Sequence, residues 1–424
     1  MSEFHVMFKS WQLVCTRRGA LSANEMKVGE LKWVYARAFA NSLSDGMVSP
    51  FIYVYALRIG ASPSEVGWMR SFNNLFTYGL QIPWGRLADR LNSRVSLIVF
   101  ADVVASLLWI PIALTLDPKL LSLSLSLHFL VASASVPAWN ALLGALIPAP
   151  VRGFALSTVS IASLSGSLIA TAASGPLMDL SGGSPLVPVS LAAISGSFGS
   201  VLLLRVREPK VKKTAKLGDI ASLFKMSEIP KLLSENADFE LFIKLTALQG
   251  FFMTFAWPLF SVTMAETLNL SMTEVGILSI INILTTMLAQ PLMGRLVDRF
   301  GKMSIMFLHY ISLPIVPLSY ALVSDFLQLA ACNVLFGVVI SSSGISVSAY
   351  LLDIVPEERV SEFIATYNMV LGISYFMGSA FGGNFTELAR AVLGKRLGLQ
   401  VGYAISTLGR LVSGLMFLKI KKGR

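Results

Sequence analysis

At 424 residues the chain has the length of two or three soluble domains of ~150 residues each. Its composition excludes them: charged residues are 14%, against ~25% in soluble proteins, nine apolar residue types supply 54%, there are 32 glycines, and the mean hydropathy is +0.68. Disordered and collagen-like chains are excluded by the same figures. Two cysteines, Cys15 and Cys332, cannot build a disulfide framework, and a net charge of +10 spread in short segments between apolar stretches does not describe a nucleic-acid-binding face.

The first 31 residues contain no apolar run of 18, and Cys15-Thr16-Arg17-Arg18 interrupts the one apolar patch. This is neither a signal peptide nor a span. It reads as a poorly ordered cytoplasmic leader, with an amphipathic segment and a start at Met26 as alternatives. From there on, twelve stretches are long enough to cross a ~30 Å hydrocarbon core. They run over residues 33–57, 64–86, 94–116, 120–146, 153–178, 185–204, 239–265, 273–296, 303–324, 326–352, 361–386 and 398–418. The expected fold class is an all-α membrane protein of twelve transmembrane helices in two six-helix pseudo-symmetric bundles. Its domains are a leader 1–31, a six-helix bundle 32–204, a cytoplasmic linker 205–237, a second bundle 238–420 and a tail 421–424. With both termini in the cytoplasm, 25 of the 34 lysines and arginines fall inside and five outside. This is the expected positive-inside bias.

The longest polar segment, 205–237, carries eight basic residues and separates six stretches from six. It reads as a linker; binding of anionic headgroups is the alternative. The two halves repeat each other. An offset of 209 aligns Glu65-Val66-Gly67 with Glu274-Val275-Gly276, and Gly85-Arg86-Leu87 with Gly294-Arg295-Leu296. It also superposes Asp89-Arg90 on Asp298-Arg299, Asn73 on Asn282, Thr77 on Thr286 and Gln81 on Gln290, while an offset of 208 brings Asn41 onto Gln249 and Pro50 onto Pro258. Parallel repeats of this kind are one construction of secondary transporters, with the solute site between the halves near the midplane.

Polar side chains within spans normally face protein or water rather than lipid. Arg70, Asn74, Thr77 and Gln81 fall on one face of the second stretch at 100° per residue, with Asn73 beside them. Ser279, Asn282, Thr286 and Gln290 echo them in the eighth. Arg37, Asn41 and Asp45 recur at intervals of four in the first. Asp45 lies ~18 Å along the helix from Trp33, near the midplane. It is the leading candidate for carrying a proton or meeting a cationic solute; a fixed ion pair with Arg37 or Arg70 is the structural alternative. Arg37 is expected to snorkel to the interface. His128, Ser135 and Trp139 share a face of the fourth stretch, with Asn140 beside it. Asp102 is expected to partner the loop arginines, Arg410 and Lys244 to reach the cytoplasmic interface, and Trp257 and Tyr350 to wall the pathway or simply to pack.

At the turn between stretches two and three stands Gly85-Arg86-Leu87-Ala88-Asp89-Arg90-Leu91-Asn92-Ser93-Arg94, with a copy at Gly294-Arg295-Leu296-Val297-Asp298-Arg299-Phe300-Gly301-Lys302. These resemble the loop signature of the major facilitator superfamily, and with the twelve-stretch layout the resemblance covers about residues 32–420. The first copy has Asn92 where glycine is usual; asparagine also tolerates the left-handed conformation. The resemblance implies a cytoplasmic gate of Asp89, Arg90 and Arg94, held by charge-assisted hydrogen bonds, and a weaker second latch of Asp298 and Arg299. Gly166 and Gly175-Pro176-Leu177-Met178 partly resemble the glycine-proline motif of drug/proton antiporters in this superfamily, with Met178-Asp179 where Gly-Gly would follow. The small residues Gly372, Gly378, Gly382 and Gly383 permit close helix approach.

The expected function is secondary active transport of a small organic solute by alternating access, coupled to protons, with efflux slightly favoured over uptake. The expected partners are the solute, H+ and the bilayer, with a monomeric chain, no cofactor and no metal. A membrane sensor or scaffold that kept the fold is the alternative from another class. No nucleotide-binding glycine-lysine loop occurs, and His5, His128 and His309 are scattered over separate segments, which argues against an enzyme or a metal centre.

Overall fold

The computed structural model describes residues 28–91, 93–147, 151–208, 233–356 and 359–420. Among them every regular element is helical. The 1–27 leader, Asn92, most of the linker (209–232) and the tail 421–424 lie outside the described residues.

The helices fall into rods. The first joins α1 (Val28–Val48) to α2 (Ile52–Arg58). The second runs α3 (Pro63–Asn74), a π-helical turn Leu75–Gly79, and α4 (Gln81–Arg90). Then come α5 (Arg94–Leu114), α6 (Pro118–Ser133) with α7 (Ser135–Leu146), α8 (Arg152–Leu180) and α9 (Leu186–Leu202). After the linker follow α10 (Ala237–Phe255) with α11 (Trp257–Val262) and a π turn Thr263–Thr267, then α12 (Met272–Phe300). The chain closes with α13 (Lys302–Ser312) and α14 (Ile315–Leu322), α15 (Phe326–Ile354), α16 (Val360–Leu393) and α17 (Lys395–Met416).

Among the described residues, nine of these rods are long and apolar enough to cross a membrane. Those over 28–58, 63–90 and 360–393 are not among the nine, so the expected twelve crossings are not all recovered from length and hydropathy. The first carries Arg37, Asn41 and Asp45 in its interior, and the second is interrupted at Leu80, between the π turn and α4.

Side chains are distributed as lipid solvent requires. Phe100, Leu288 and Leu327 stand 67%, 73% and 76% exposed, whereas serines and threonines turn inward and donate to carbonyls of neighbouring helices. Ser44 donates to Ala192 O at 2.8 Å, Thr171 to Gly46 O at 3.2 Å and Ser174 to Met47 O at 2.6 Å. These bonds tie α1 to α8 and α9 where no water can satisfy a polar group.

Within residues 28–206, α1 packs on α8 and α9, and α5 on α6, α7 and α9; within 233–420, α10 packs on α16 and α17, and α12 on α15. Two seams join these sets: α3 against α16, and α8 against α12. Glycine lets both close. A Cβ on Gly383 would stand 2.7 Å from Gly67 Cα, and one on Gly175 would stand 2.8 Å from Met272 O. The sequence repeat recurs as local structure. Ser62 caps α3 and Ser271 caps α12, each in a reciprocal capping box with Glu65 or Glu274.

Candidate functional site

Asp45 sits in the last turn of α1, exposed to two cavities at once. The larger, about 560 Å³, lies between the two helix sets, with Asp45, Tyr53 and Arg70 on one side and Trp257, Phe260 and Asn282 on the other. The smaller, about 250 Å³, is lined by Asn41, Asn73, Thr77, Asp102 and His128 as well as Asp45. Among the described residues no cationic side chain lies within ion-pairing distance of Asp45. The structural alternative, a fixed ion pair with Arg37 or Arg70, is therefore not what the helices build.

Arg37 pairs elsewhere. Its guanidinium meets Asp102 at 2.7 and 3.2 Å, and its carbon centre lies 4.1 Å from the Trp139 ring centroid. It is 5% exposed, which corrects the expected snorkelling: a carboxylate on α5 gives it a better partner inside than water would. Asp102 also accepts from Ser200 at 2.8 Å, so it serves Arg37 rather than the loop arginines. Arg410 departs from expectation too. It is 1% exposed and donates to three main-chain carbonyls, of Leu313, Met253 and Phe252, at 3.1, 2.8 and 3.4 Å. Lys244 pairs with Glu240, one turn away.

Arg70 donates to Ser261 Oγ at 2.9 Å across the gap between sets, and lies 3.9 Å from the Tyr53 ring centroid. Its Nε is buried without a hydrogen-bond partner. Asn73 donates to the Tyr53 hydroxyl at 3.2 Å and accepts from Thr77 at 3.1 Å. Asn74 is turned away from both cavities and donates to Ser379 of α16 at 3.2 Å. Gln81 accepts from Asn368 at 2.8 Å and donates to Thr77 O at 3.2 Å. The π turn over Leu75–Gly79 re-phases the helix beyond it, so the even 100° stripe does not continue to Gln81; Asn74 precedes the turn and is drawn aside by Ser379.

His128 is buried, its Nδ1 2.9 Å from Ala105 O and its ring 3.9 Å from that of Trp109. Asn140 is exposed, and Tyr350 packs on Phe242 in the second set. Gln249 is buried and accepts from Ser413. Trp257 and Asn282 reach the larger cavity. Thr286 instead donates to Gly337 O at 3.2 Å, and Gln290 is exposed.

Of the loop residues, Arg94 faces Asp89 at 3.7 Å, and Arg90 closes α4 beside them. A residue that span patterns could not flag completes this corner. Glu208, at the head of the linker, accepts from Ser93 Oγ at 2.9 Å and from the Arg94 and Val95 amides at 3.0 and 3.3 Å, holding the N-terminus of α5. Gly85 and Gly294 leave open space around them, with only Pro137 Cβ near the former at 3.9 Å. In the second copy Asp298 and Arg299 are exposed, and Lys302 pairs with Asp353.

At the opposite end of the rods the two sets are tied directly. The Asp179 carboxylate accepts from the Met272 and Thr273 amides at 2.9 and 2.8 Å and from the Thr273 hydroxyl at 2.5 Å. Arg58 donates to Leu270 O, and Ser64 bonds Asn384 at 2.8 Å and Glu387 at 3.1 Å. An acid at a helix N-terminus meets both unsatisfied amides and the positive end of the helix dipole. Asp179 is one of the two residues that replace the Gly-Gly expected after the glycine-proline motif, and that substitution is the signal of its role that the sequence offers.

The sequence profile described as Major Facilitator Superfamily matches residues 35–244 and again 242–423. The chain is 27% identical over 379 residues to a protein of Lactococcus lactis subsp. lactis (strain IL1403) named as a multi-drug resistance efflux pump PmrA homolog, covering 87% of this chain and 91% of that one. It is 26% identical over 319 residues to the multidrug resistance protein MdtG of Escherichia coli O9:H4 (strain HS), covering 70% and 73%. The crystal structure of the nucleoside transporter NupG superposes with a TM-score of 0.72 at 14% identity, covering 93% of this chain and 100% of that one; at that identity the likeness is one of fold.

Proposed function

This chain belongs to the major facilitator superfamily and is a multi-pass membrane transporter, and from that premise we propose that it is a proton-coupled exporter of small organic solutes whose proton site is Asp45. The observation that carries the reading is the open Asp45 carboxylate, facing the inter-set cavity on one side and the smaller polar cavity on the other. A carboxylate at that depth needs water, a proton or a solute cation. Arg37, Asp102 and His128 surround it, and the first two neutralise each other. A proton and a cationic group then compete for the same oxygens, which is how exchange is coupled without a second site.

The two sets, 32–204 and 238–420, are the rocking units, joined by the cytoplasmic linker 205–237, with both termini cytoplasmic and one chain as the working unit. In this arrangement the Asp179 and Arg58 contacts close the outside, and the Asp89–Arg94 corner is the inner gate that tightens when the outside opens. Export rather than uptake is supported by the relative named as an efflux pump and by the glycine-proline motif of α8. The test is solute flux in proteoliposomes with and without an imposed pH gradient. Wild type should move a solute against its gradient when protons flow the opposite way; Asp45→Asn should exchange it but not accumulate it. Wild-type accumulation by Asp45→Asn removes Asp45 as the proton site, and absence of any flux favours a sensor or scaffold.

A further inference from the structure

The larger cavity carries two opposite charges that do not meet. Arg70 and Asp45 both line it, yet neither has an ion-pair partner within 4.0 Å among the described residues. Guanidinium carries five donors; the one hydrogen bond of Arg70 runs from Nη2 to Ser261, its face is covered by Tyr53 and its Nε is enclosed, so the two Nη atoms are what it offers the cavity. That is a seat prepared for a planar two-oxygen acceptor, the group an arginine fork binds best. The same cavity has aromatic walls: Phe260 and Tyr320 rings are 4.2 Å apart, and Trp257 lines the space with them.

We infer that the solute class is an aromatic zwitterion, with a carboxylate on Arg70, a protonated amine toward Asp45, and a flat apolar body against Tyr53, Trp257, Phe260 and Tyr320. The inference rests on the transporter reading and adds the chemistry of its cargo. Charge arithmetic selects the class. An organic cation alone would neutralise Asp45 but leave Arg70 uncompensated and bring a second positive charge into the same low-dielectric space. An organic anion alone would leave Asp45 uncompensated in the same way. A zwitterion matches both at once, and uncompensated charge away from water is the costliest state available. The volume, about 560 Å³, falls within the ~300–1,000 Å³ of small-molecule sites.

The test uses three matched probes on the purified full chain: 2-naphthylalanine, which has both charges; 2-(2-naphthyl)ethylamine, which lacks the carboxylate; and 3-(2-naphthyl)propionic acid, which lacks the amine. Wild type should bind the zwitterion most tightly. Arg70→Gln should weaken the zwitterion and the acid by about tenfold or more, as loss of charge-assisted hydrogen bonds does, and leave the amine unchanged or tighter. Asp45→Asn should weaken the zwitterion and the amine but not the acid. Arg70→Lys keeps the charge and loses the fork, so it should fall between wild type and Arg70→Gln; it also serves if Arg70→Gln does not fold. A wild type that prefers the amine, or shows no saturable binding of the zwitterion, overturns the inference. So does unchanged zwitterion affinity in both Arg70 variants. Flux of the zwitterion in proteoliposomes separates the two readings. Arg70-dependent binding without flux keeps the site and removes transport; gradient-driven flux of other solutes without zwitterion binding keeps transport and removes the site.

Discussion

Arg37 and Asp102 close on each other at 2.7 Å while Asp45, two turns beyond Arg37 on the same helix, stays open to both cavities. The rod over 28–58 thus carries one charge that is paired and one that is not. Breaking a buried pair from one side leaves the other charge unmatched and costs ~3–5 kcal/mol. Asp102→Asn should therefore lower the apparent melting temperature in detergent strongly. The double variant Arg37→Gln/Asp102→Asn should recover part of the loss.

Asp45→Asn should behave oppositely. It breaks no ion pair, so its thermal stability should stay within the ~0.5 kcal/mol usual for substitutions that disturb no packing or pairing. Its loss should appear in pH-driven accumulation and in binding of amine-bearing solutes, not in melting. Measuring melting and flux on one preparation checks both; a large stability loss would show that Asp45 is structural.

Asp179→Ala should loosen the α8–α12 latch, because the amides of Met272 and Thr273 lose their acceptor. With Cys15 and Cys332 replaced by serine and a single cysteine at Ser49 in the larger cavity, an impermeant thiol reagent outside should label the variant severalfold faster than the parent. Equal labelling rates would mean that the latch does not hold the outside shut.

Gly383→Val should separate α3 from α16. The new Cβ would meet Gly67 Cα at 2.7 Å and Pro63 O at 2.6 Å, both backbone atoms that cannot swing aside. Overpacking of this kind costs ~1–3 kcal/mol or more. Gly294→Ala, with nothing within 4 Å of the added carbon, is the matched control and should melt like wild type.

Asp89→Asn should leave the fold unchanged, since the Asp89 side chain is 59% exposed, but slow turnover if the corner is the inner gate. Transport at the wild-type rate would reduce the corner to a topology signal.

The sequence is most informative where one helix carries its own pattern. Asp45, Asn41, Arg70, Asn73 and Thr77 all line a cavity, because intramembrane polar groups have few other places to go. Asn74 shows the limit: it shares a regular stretch of α3 with Arg70, yet it turns to a serine on α16 rather than to a cavity. Arg37–Asp102 and Asn74–Ser379 join residues 65 and 305 positions apart, and no periodicity reports such distances. Glu208 and Asp179 lie at rod ends, where their roles come from another helix's terminus. The burial of Arg410 is hidden for a related reason: its acceptors are main-chain carbonyls, which sequence does not display.

The two capping boxes bear on how the chain is made. Each satisfies two amides at the head of a long rod, those of the capping serine and of the glutamate three residues on. The tips of α3 and α12 are therefore finished only when a rod from the other set supplies its carboxylate, Glu387 for Ser64 and Asp179 for Met272 and Thr273. During synthesis the head of α12 can close as soon as it emerges, because α8 is already made, whereas the Ser64 amide of α3 waits for α16 near the end of the chain.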